Sequence, residues 1–68
     1  MYRIENHWRV VEYEINKTPA GAELKYRYAD NRWDSIAEMH DDLEDEEFET
    51  IIFPLKKQAS DFIRRLMR

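Results

Sequence analysis

The chain has 68 residues, 43% of them hydrophobic, a formal net charge of −4 and no cysteine. Two domains are excluded at this length because each half would be too small to support a core, so we expect one globular domain over residues 1–68. Without cysteine there is no disulfide framework, thiolate zinc site or thiol nucleophile, which favours a cytoplasmic protein over a secreted one. No segment approaches the roughly 20 apolar residues of a membrane span, so we expect no membrane partner.

Alternating apolar residues predict an antiparallel hairpin in the first half of the chain. Residues 7–15 and residues 23–28 are rich in β-branched and aromatic side chains, which is typical of strands. The intervening residues 16–22 contain Pro19 and the only glycine, Gly21, as expected for a turn. Pairing the two strands places one set of side chains on the core face: Val11, Tyr13, Ile15, Leu24, Tyr26 and Tyr28.

A helix, a strand and a second helix are predicted in the second half of the chain. Ser35 and Glu38 have the spacing of a capping box, and apolar residues at helical spacing follow as far as Leu43. Residues 48–53 are β-branched and aromatic, which predicts a third strand that Pro54 ends. The clearest amphipathic helix comes last, with an apolar stripe of Leu55, Ala59, Phe62, Ile63 and Leu66.

These elements predict a two-layer α+β domain in the order β-β-α-β-α. An antiparallel hairpin is extended by the third strand, and both helices are expected on one face of the sheet. The sequence leaves open whether the third strand pairs parallel or antiparallel. It also leaves open whether residues 2–4 continue the first strand or fray.

Acidic residues are concentrated on the first helix and the segment that follows it. Residues 34–50 carry nine acidic and no basic residues, several of them spaced four apart on the helix, which is locally unfavourable. One interpretation is a solvated helix face, partly neutralised by Lys56, Lys57, Arg64 and Arg65 of the neighbouring helix. The other is a docking surface for a basic partner, either a protein or, by nucleic-acid mimicry, a DNA-binding groove.

Trp8 is predicted to be an exposed aromatic residue on the sheet. Strand alternation points Trp8 and Val10 away from Tyr13, onto the face that bears Glu12 and Glu14. An exposed tryptophan is a frequent anchor of protein interfaces, and a small sheet also has open edges on which another chain can add a strand. The alternatives are a bulge at this point or cover from the N-terminal residues.

Catalytic groups are sparse in this chain. His7, His40, Ser35 and Ser60, like Thr18 and Thr50, belong to no recognised catalytic constellation. His40 and Glu44 lie one helical turn apart, which is too little for a metal site without further ligands. We therefore expect no enzymatic activity, no metal and no cofactor.

The sequence favours a non-enzymatic interaction or regulatory module, of the kind that small bacterial or phage reading frames encode. Its partner is expected to be a protein or a second copy of the chain, as in a homodimer. The alternative is a small nucleic-acid-binding regulator, which the negative net charge disfavours. The predicted partner-binding residues are Trp8, Val10, Asp41, Asp42, Asp45, Glu46 and Glu47. The alternative nucleic-acid contacts are Lys56, Lys57, Arg64, Arg65 and Arg68.

Overall fold

The computed structural model describes all 68 residues as a four-stranded sheet with two helices. The sheet has the order β1-β2-β3-β4, and all neighbouring strands are antiparallel. The predicted α+β class is confirmed, and the strand whose direction the sequence left open is antiparallel. The elements are β1 (Tyr2–Glu5), β2 (Arg9–Thr18), β3 (Gly21–Asp30), α1 (Ile36–Glu44), β4 (Glu49–Phe53) and α2 (Lys56–Leu66).

The N-terminal residues form a separate edge strand, so the order is β-β-β-α-β-α. Strand β1 pairs with the first half of β2, from Tyr2 opposite Tyr13 to Glu5 opposite Val10. Asn6 closes the turn between the two strands, because its side-chain oxygen accepts hydrogen bonds from the backbone amides of Trp8 (2.9 Å) and Arg9 (2.8 Å). This hairpin is too short to be recognised from strand length alone.

The central hairpin of β2 and β3 is longer than predicted and turns tightly after Thr18. Thr18 is paired with Gly21, and its hydroxyl donates to the Gly21 carbonyl at 3.0 Å. Gly21 has a φ of +133°, and a β-carbon at this position would overlap the carbonyl oxygen of Phe53 on β4. Glycine is therefore required both by the backbone conformation and by the close approach of β4.

The helices pack on opposite faces of the sheet, whereas the sequence predicted both on one face. Val10 and Val11 are both fully buried. Adjacent strand residues point to opposite faces, so both faces must be covered at this point. Helix α2 covers the predicted core face, while α1 covers the other. One cluster contains Val11, Leu24, Tyr26, Ala59 and Ile63, and the second contains Val10, Ala29, Met39 and Leu43.

The position of α1 corrects the prediction for Val10. This side chain was expected to be exposed beside Trp8 as a partner-binding residue, but it lies at the centre of the second cluster and has no accessible surface. Its role is to anchor α1 to the sheet through Met39 and Leu43. No Cα atom of α1 lies within 8 Å of one in α2, so the sheet separates the two helices.

Candidate functional site

The end of α1 and the residues after it form an acidic surface, defined here as Asp41, Asp42, Asp45, Glu46 and Glu47. Helix α1 begins at the predicted cap, where the Ser35 hydroxyl accepts from the Glu38 amide at 3.2 Å. It ends at Glu44 and is capped by Asp45, whose amide donates to the Asp41 carbonyl at 3.2 Å. Burial of Leu43 against the sheet turns the neighbouring carboxylates outward, and all of them are exposed except Asp42.

Asp42 fastens the acidic surface to the loop that precedes α1. Its Oδ2 atom accepts hydrogen bonds from the indole N–H of Trp33 and from the side-chain amide of Asn31, the latter at 3.5 Å. Trp33 in turn packs against the buried cluster under α1. Asp42 is therefore partly a structural residue, which fixes the position of its more exposed neighbours.

A shallow groove separates the acidic surface from β3. Strand β4 pairs only with Ala22–Tyr26, so the last residues of β3 pair with β2 on one side and have an open edge on the other. Burial raises the pKa of the Tyr28 hydroxyl, and the negative charge of Asp30 raises it further, against the opposing effect of Arg9. The groove is lined by Tyr28, Ala29, Asp30, Asp42, Asp45 and Glu46.

No lysine or arginine forms an ion pair with the acidic surface, although Arg27 lines one concavity together with Glu46 and Glu47. The ion pairs of the molecule join Glu12 to Arg3 and Arg27, Glu5 to His40, and Asp61 to Arg64. Compensation by the cations of the last helix is one interpretation of the sequence, and the structure shows no ion pair between α2 and the acidic surface. Helix α2 lies across the sheet from α1, and only Leu66 of α2 lines a concavity with Glu46 and Glu47. Apart from Asp42, the carboxylates of this surface are therefore exposed and form no ion pair.

Trp8 is exposed, which is one of the alternatives that the sequence leaves open, but it lies in the turn between β1 and β2 and not on the sheet. About half of its surface (53%) is accessible, and the Arg32 guanidinium lies 5.4 Å from the ring centroid. The Trp8 carbonyl accepts from the amide of Asn31 at 3.0 Å, and Asn31 also contacts Asp42. The loop that holds Asn31 thus connects the exposed indole to the rim of the acidic surface.

The sheet face on the α1 side carries a row of paired charges centred on Glu12. Glu12 lies between Arg3 and Arg27, with a 2.9 Å ion pair to each. Burial alone would raise the pKa of Glu12, but the hydrogen bonds and charges of the two arginines outweigh it, so the pKa is lowered. The Phe48 ring stacks over the Arg27 guanidinium at 4.6 Å. This part of the predicted outer face is internally satisfied, unlike the acidic surface.

The basic residues of the last helix form a second charged surface on the opposite side of the molecule. All five predicted nucleic-acid contacts are exposed, and only Arg64 has an ion pair, at 3.8 Å from Asp61. The largest cleft of the molecule, about 520 Å³, lies at the N-terminal end of this helix and was not predicted. It is lined by Ile15, Lys17, Thr18, Gly21, Ala22, Pro54, Leu55 and Lys56.

The histidines lie outside all four concavities of the surface. His40 Nε2 is 3.2 Å from Arg3 and 3.4 Å from the Glu5 carboxylate, so its contacts are with the neighbouring strand. No three histidine or acidic side chains converge in a way that would hold a metal ion. Neither helix has the length and apolar composition needed to span a bilayer.

Comparison of the chain with protein families, with curated proteins and with solved structures finds no match. The proposals below therefore rest on the charge distribution and geometry of this molecule.

Proposed function

We propose that the protein is a non-enzymatic interaction module whose acidic surface docks a basic segment of a partner protein. The observation that carries this proposal is that none of the five carboxylates forms an ion pair with a lysine or arginine. Trp8 is proposed as the aromatic anchor at the rim of the same surface.

The acidic surface is costly for the free protein, and a cationic ligand would remove this cost. Asp41 and Asp45 are like charges one turn apart, which disfavours the helix by about 0.2–0.5 kcal/mol per pair. Carboxylates near the end of α1 also oppose the negative end of the helix dipole. Docked lysine and arginine side chains would reverse the sign of both effects, and complementary charge also accelerates encounter.

Trp8 offers a basic segment a second kind of contact, between a cation and the face of the indole ring. A cation over an indole ring is stabilised by about 0.5–1 kcal/mol at an exposed site. Arg32 already occupies one such position, at 5.4 Å. A partner's arginine is expected to compete for this ring, so that Trp8 and the acidic surface act together.

Binding of a peptide of alternating lysine, arginine and leucine, measured by fluorescence anisotropy at low salt, tests this proposal. Replacing Asp45, Glu46 and Glu47 by the corresponding amides is expected to weaken binding about tenfold or more, equal to about 1.4 kcal/mol. The matched control carries Glu14→Gln, Glu23→Gln and Asp61→Asn, which remove the same charge elsewhere. Equal weakening in both variants would mean that net charge alone attracts the peptide, and would overturn the proposed surface.

A second candidate function is nucleic-acid binding by α2, as the sequence alternative proposes. The observation that favours it is that Lys56, Lys57, Arg65 and Arg68 are exposed without an ion pair. A mobility shift with duplex DNA and RNA at about 50 mM salt is the test, repeated with alanine at Lys57, Arg64 and Arg65. No shift at micromolar protein would eliminate this candidate.

A further inference from the structure

Strand β1 has an open edge with exposed apolar side chains. It is the first strand of the sheet and pairs only with β2. All four of its residues are exposed, and Tyr2 (70%) and Ile4 (40%) present large apolar surfaces. Neither proline nor a bulge protects this edge, so it can accept another strand.

The hydrogen-bonding pattern identifies which backbone groups of β1 are free. The Asn6 amide donates to the Arg9 carbonyl at 2.9 Å, which continues the β1–β2 register by one residue. Hydrogen-bonded and non-hydrogen-bonded pairs alternate in an antiparallel ladder. Ile4 and Tyr2 therefore bond toward β2, whereas the amide and carbonyl groups of Arg3 and Glu5 point to the open edge.

We propose that β1 pairs antiparallel with β1 of a second copy of this chain, with Arg3 opposite the partner's Glu5. Two-fold pairing through the outward backbone groups of β1 allows three registers. Arg3 would face the partner's Arg3 in the first, and Glu5 would face the partner's Glu5 in the second. In the third, Arg3 would face the partner's Glu5. Like charges directly opposite are destabilising, so only the register that places opposite charges together is favoured on both sides of the axis.

Side chains on both faces of the sheet agree with this register. On the α1 side, Arg27, Glu12 and Arg3 form a row of alternating charge that ends in a cation at the open edge. The partner's Glu5 would continue the row, next to His40, whose Nε2 atom lies 3.2 Å from Arg3 and 3.4 Å from Glu5 of its own chain. On the other face, Ile4 would meet the partner's Ile4 beside Tyr2, which packs on Tyr13 with ring centroids 5.7 Å apart.

The proposed interface is small, so the dimer is weak and concentration-dependent. Only two residue pairs exchange backbone hydrogen bonds, around one apolar contact. Interfaces below about 1,200 Å² of total buried surface are characteristic of transient complexes. The association is therefore measured by analytical ultracentrifugation over a concentration series up to about 1 mM.

Charge reversal tests both the partner and the register. Arg3→Glu or Glu5→Arg alone would place two like-charge pairs across the axis, and each is expected to weaken dimerisation about tenfold or more. An equimolar mixture of the two variants restores both opposite-charge pairs and is expected to dimerise, as is the double variant. Glu23→Arg, on the same face but away from β1, serves as the control.

Three results would overturn the proposal. The first is a wild-type protein that stays monomeric throughout the series, and the second is a pair of single variants that dimerise as well as the wild type. The third is a mixture that stays monomeric although nuclear magnetic resonance shows β1 still paired with β2 in both variants, as Arg3→Glu also removes the ion pair of Arg3 with Glu12. The readout is molecular mass, so it is independent of whether a basic peptide binds the acidic surface.

Discussion

Replacing Glu12 by glutamine tests the charged ladder that links three strands. The carboxylate is largely buried, with 15% of its side chain accessible, and each of its oxygens has an arginine within 2.9 Å. The amide keeps the shape but loses the charge, which leaves Arg3 and Arg27 as adjacent cations. Hydrogen bonds to charged groups contribute about 1.5–3 kcal/mol when buried and less when exposed, so we expect a loss of about 2 kcal/mol at pH 7.

The cost of Glu12→Gln is expected to depend on pH in a defined direction. The pKa of Glu12 is lower in the folded chain than its ordinary value of 4.5, because the two arginines outweigh the effect of burial. A group of this kind stabilises the fold above the unfolded-state pKa and ceases to do so as the pH falls through the folded-state pKa. The difference between wild type and variant should therefore be full at pH 7 and shrink below pH 4.5.

Urea unfolding followed by tryptophan fluorescence measures this difference at each pH. Glu14→Gln is the matched control, because Glu14 lies on the same face of β2 but has no ion pair. The control is expected to change the free energy of unfolding by less than about 0.5 kcal/mol. A Glu12→Gln cost that is the same at pH 3 and pH 7 would refute the assignment of the stability to the ionised carboxylate.

Three further perturbations test the packing. Leu43→Ala empties a fully buried position under α1 and should cost about 2–5 kcal/mol by urea unfolding; a cost near zero would mean that α1 is not docked. Gly21→Ala places a side chain at a positive φ and against the Phe53 carbonyl oxygen, so we expect the free energy of unfolding, measured by thermal unfolding, to fall by more than about 2 kcal/mol. A variant as stable as the wild type would contradict the turn geometry. Burial and a 2.9 Å hydrogen bond to Glu49 raise the pKa of Tyr26 above its ordinary value of 10. The stability that Tyr26→Phe removes should therefore be largest below pH 10 and disappear as the pH rises through the raised pKa. A loss that is the same at all pH values would contradict this.

The sequence predicted elements well where one periodicity dominates. The central hairpin, the Ser35 cap and the stripe of the last helix are each produced by local patterns that the structure retains, except that Leu55 caps the helix and is 62% exposed. The placement of α1 depends instead on two consecutive valines. Strand alternation assigned one of them, Val10, to solvent, although an apolar pair in a strand is equally typical of burial on both faces.

The sequence predicts which residues of the candidate site carry charge, but not which residues surround them. The carboxylates are where the charge count placed them, and Trp8 is exposed. The absence of ion pairs between these carboxylates and α2 reflects the position of the two helices on opposite faces, which no local pattern encodes. The alternation of Tyr2 and Ile4 with Arg3 and Glu5 is a strand signal, but four residues are too few to distinguish it from a frayed end.

Separation of α1 from α2 by the sheet has an electrical consequence. Uncompensated anions lie on one side, and cations such as Lys57 and Arg65 lie on the other. The folded chain therefore has a permanent electric dipole. The field of a charged macromolecule would orient the chain through this dipole before the two surfaces come into contact. The same residues on two adjacent helices would largely cancel at a distance, so the architecture converts a modest net charge into a directional field.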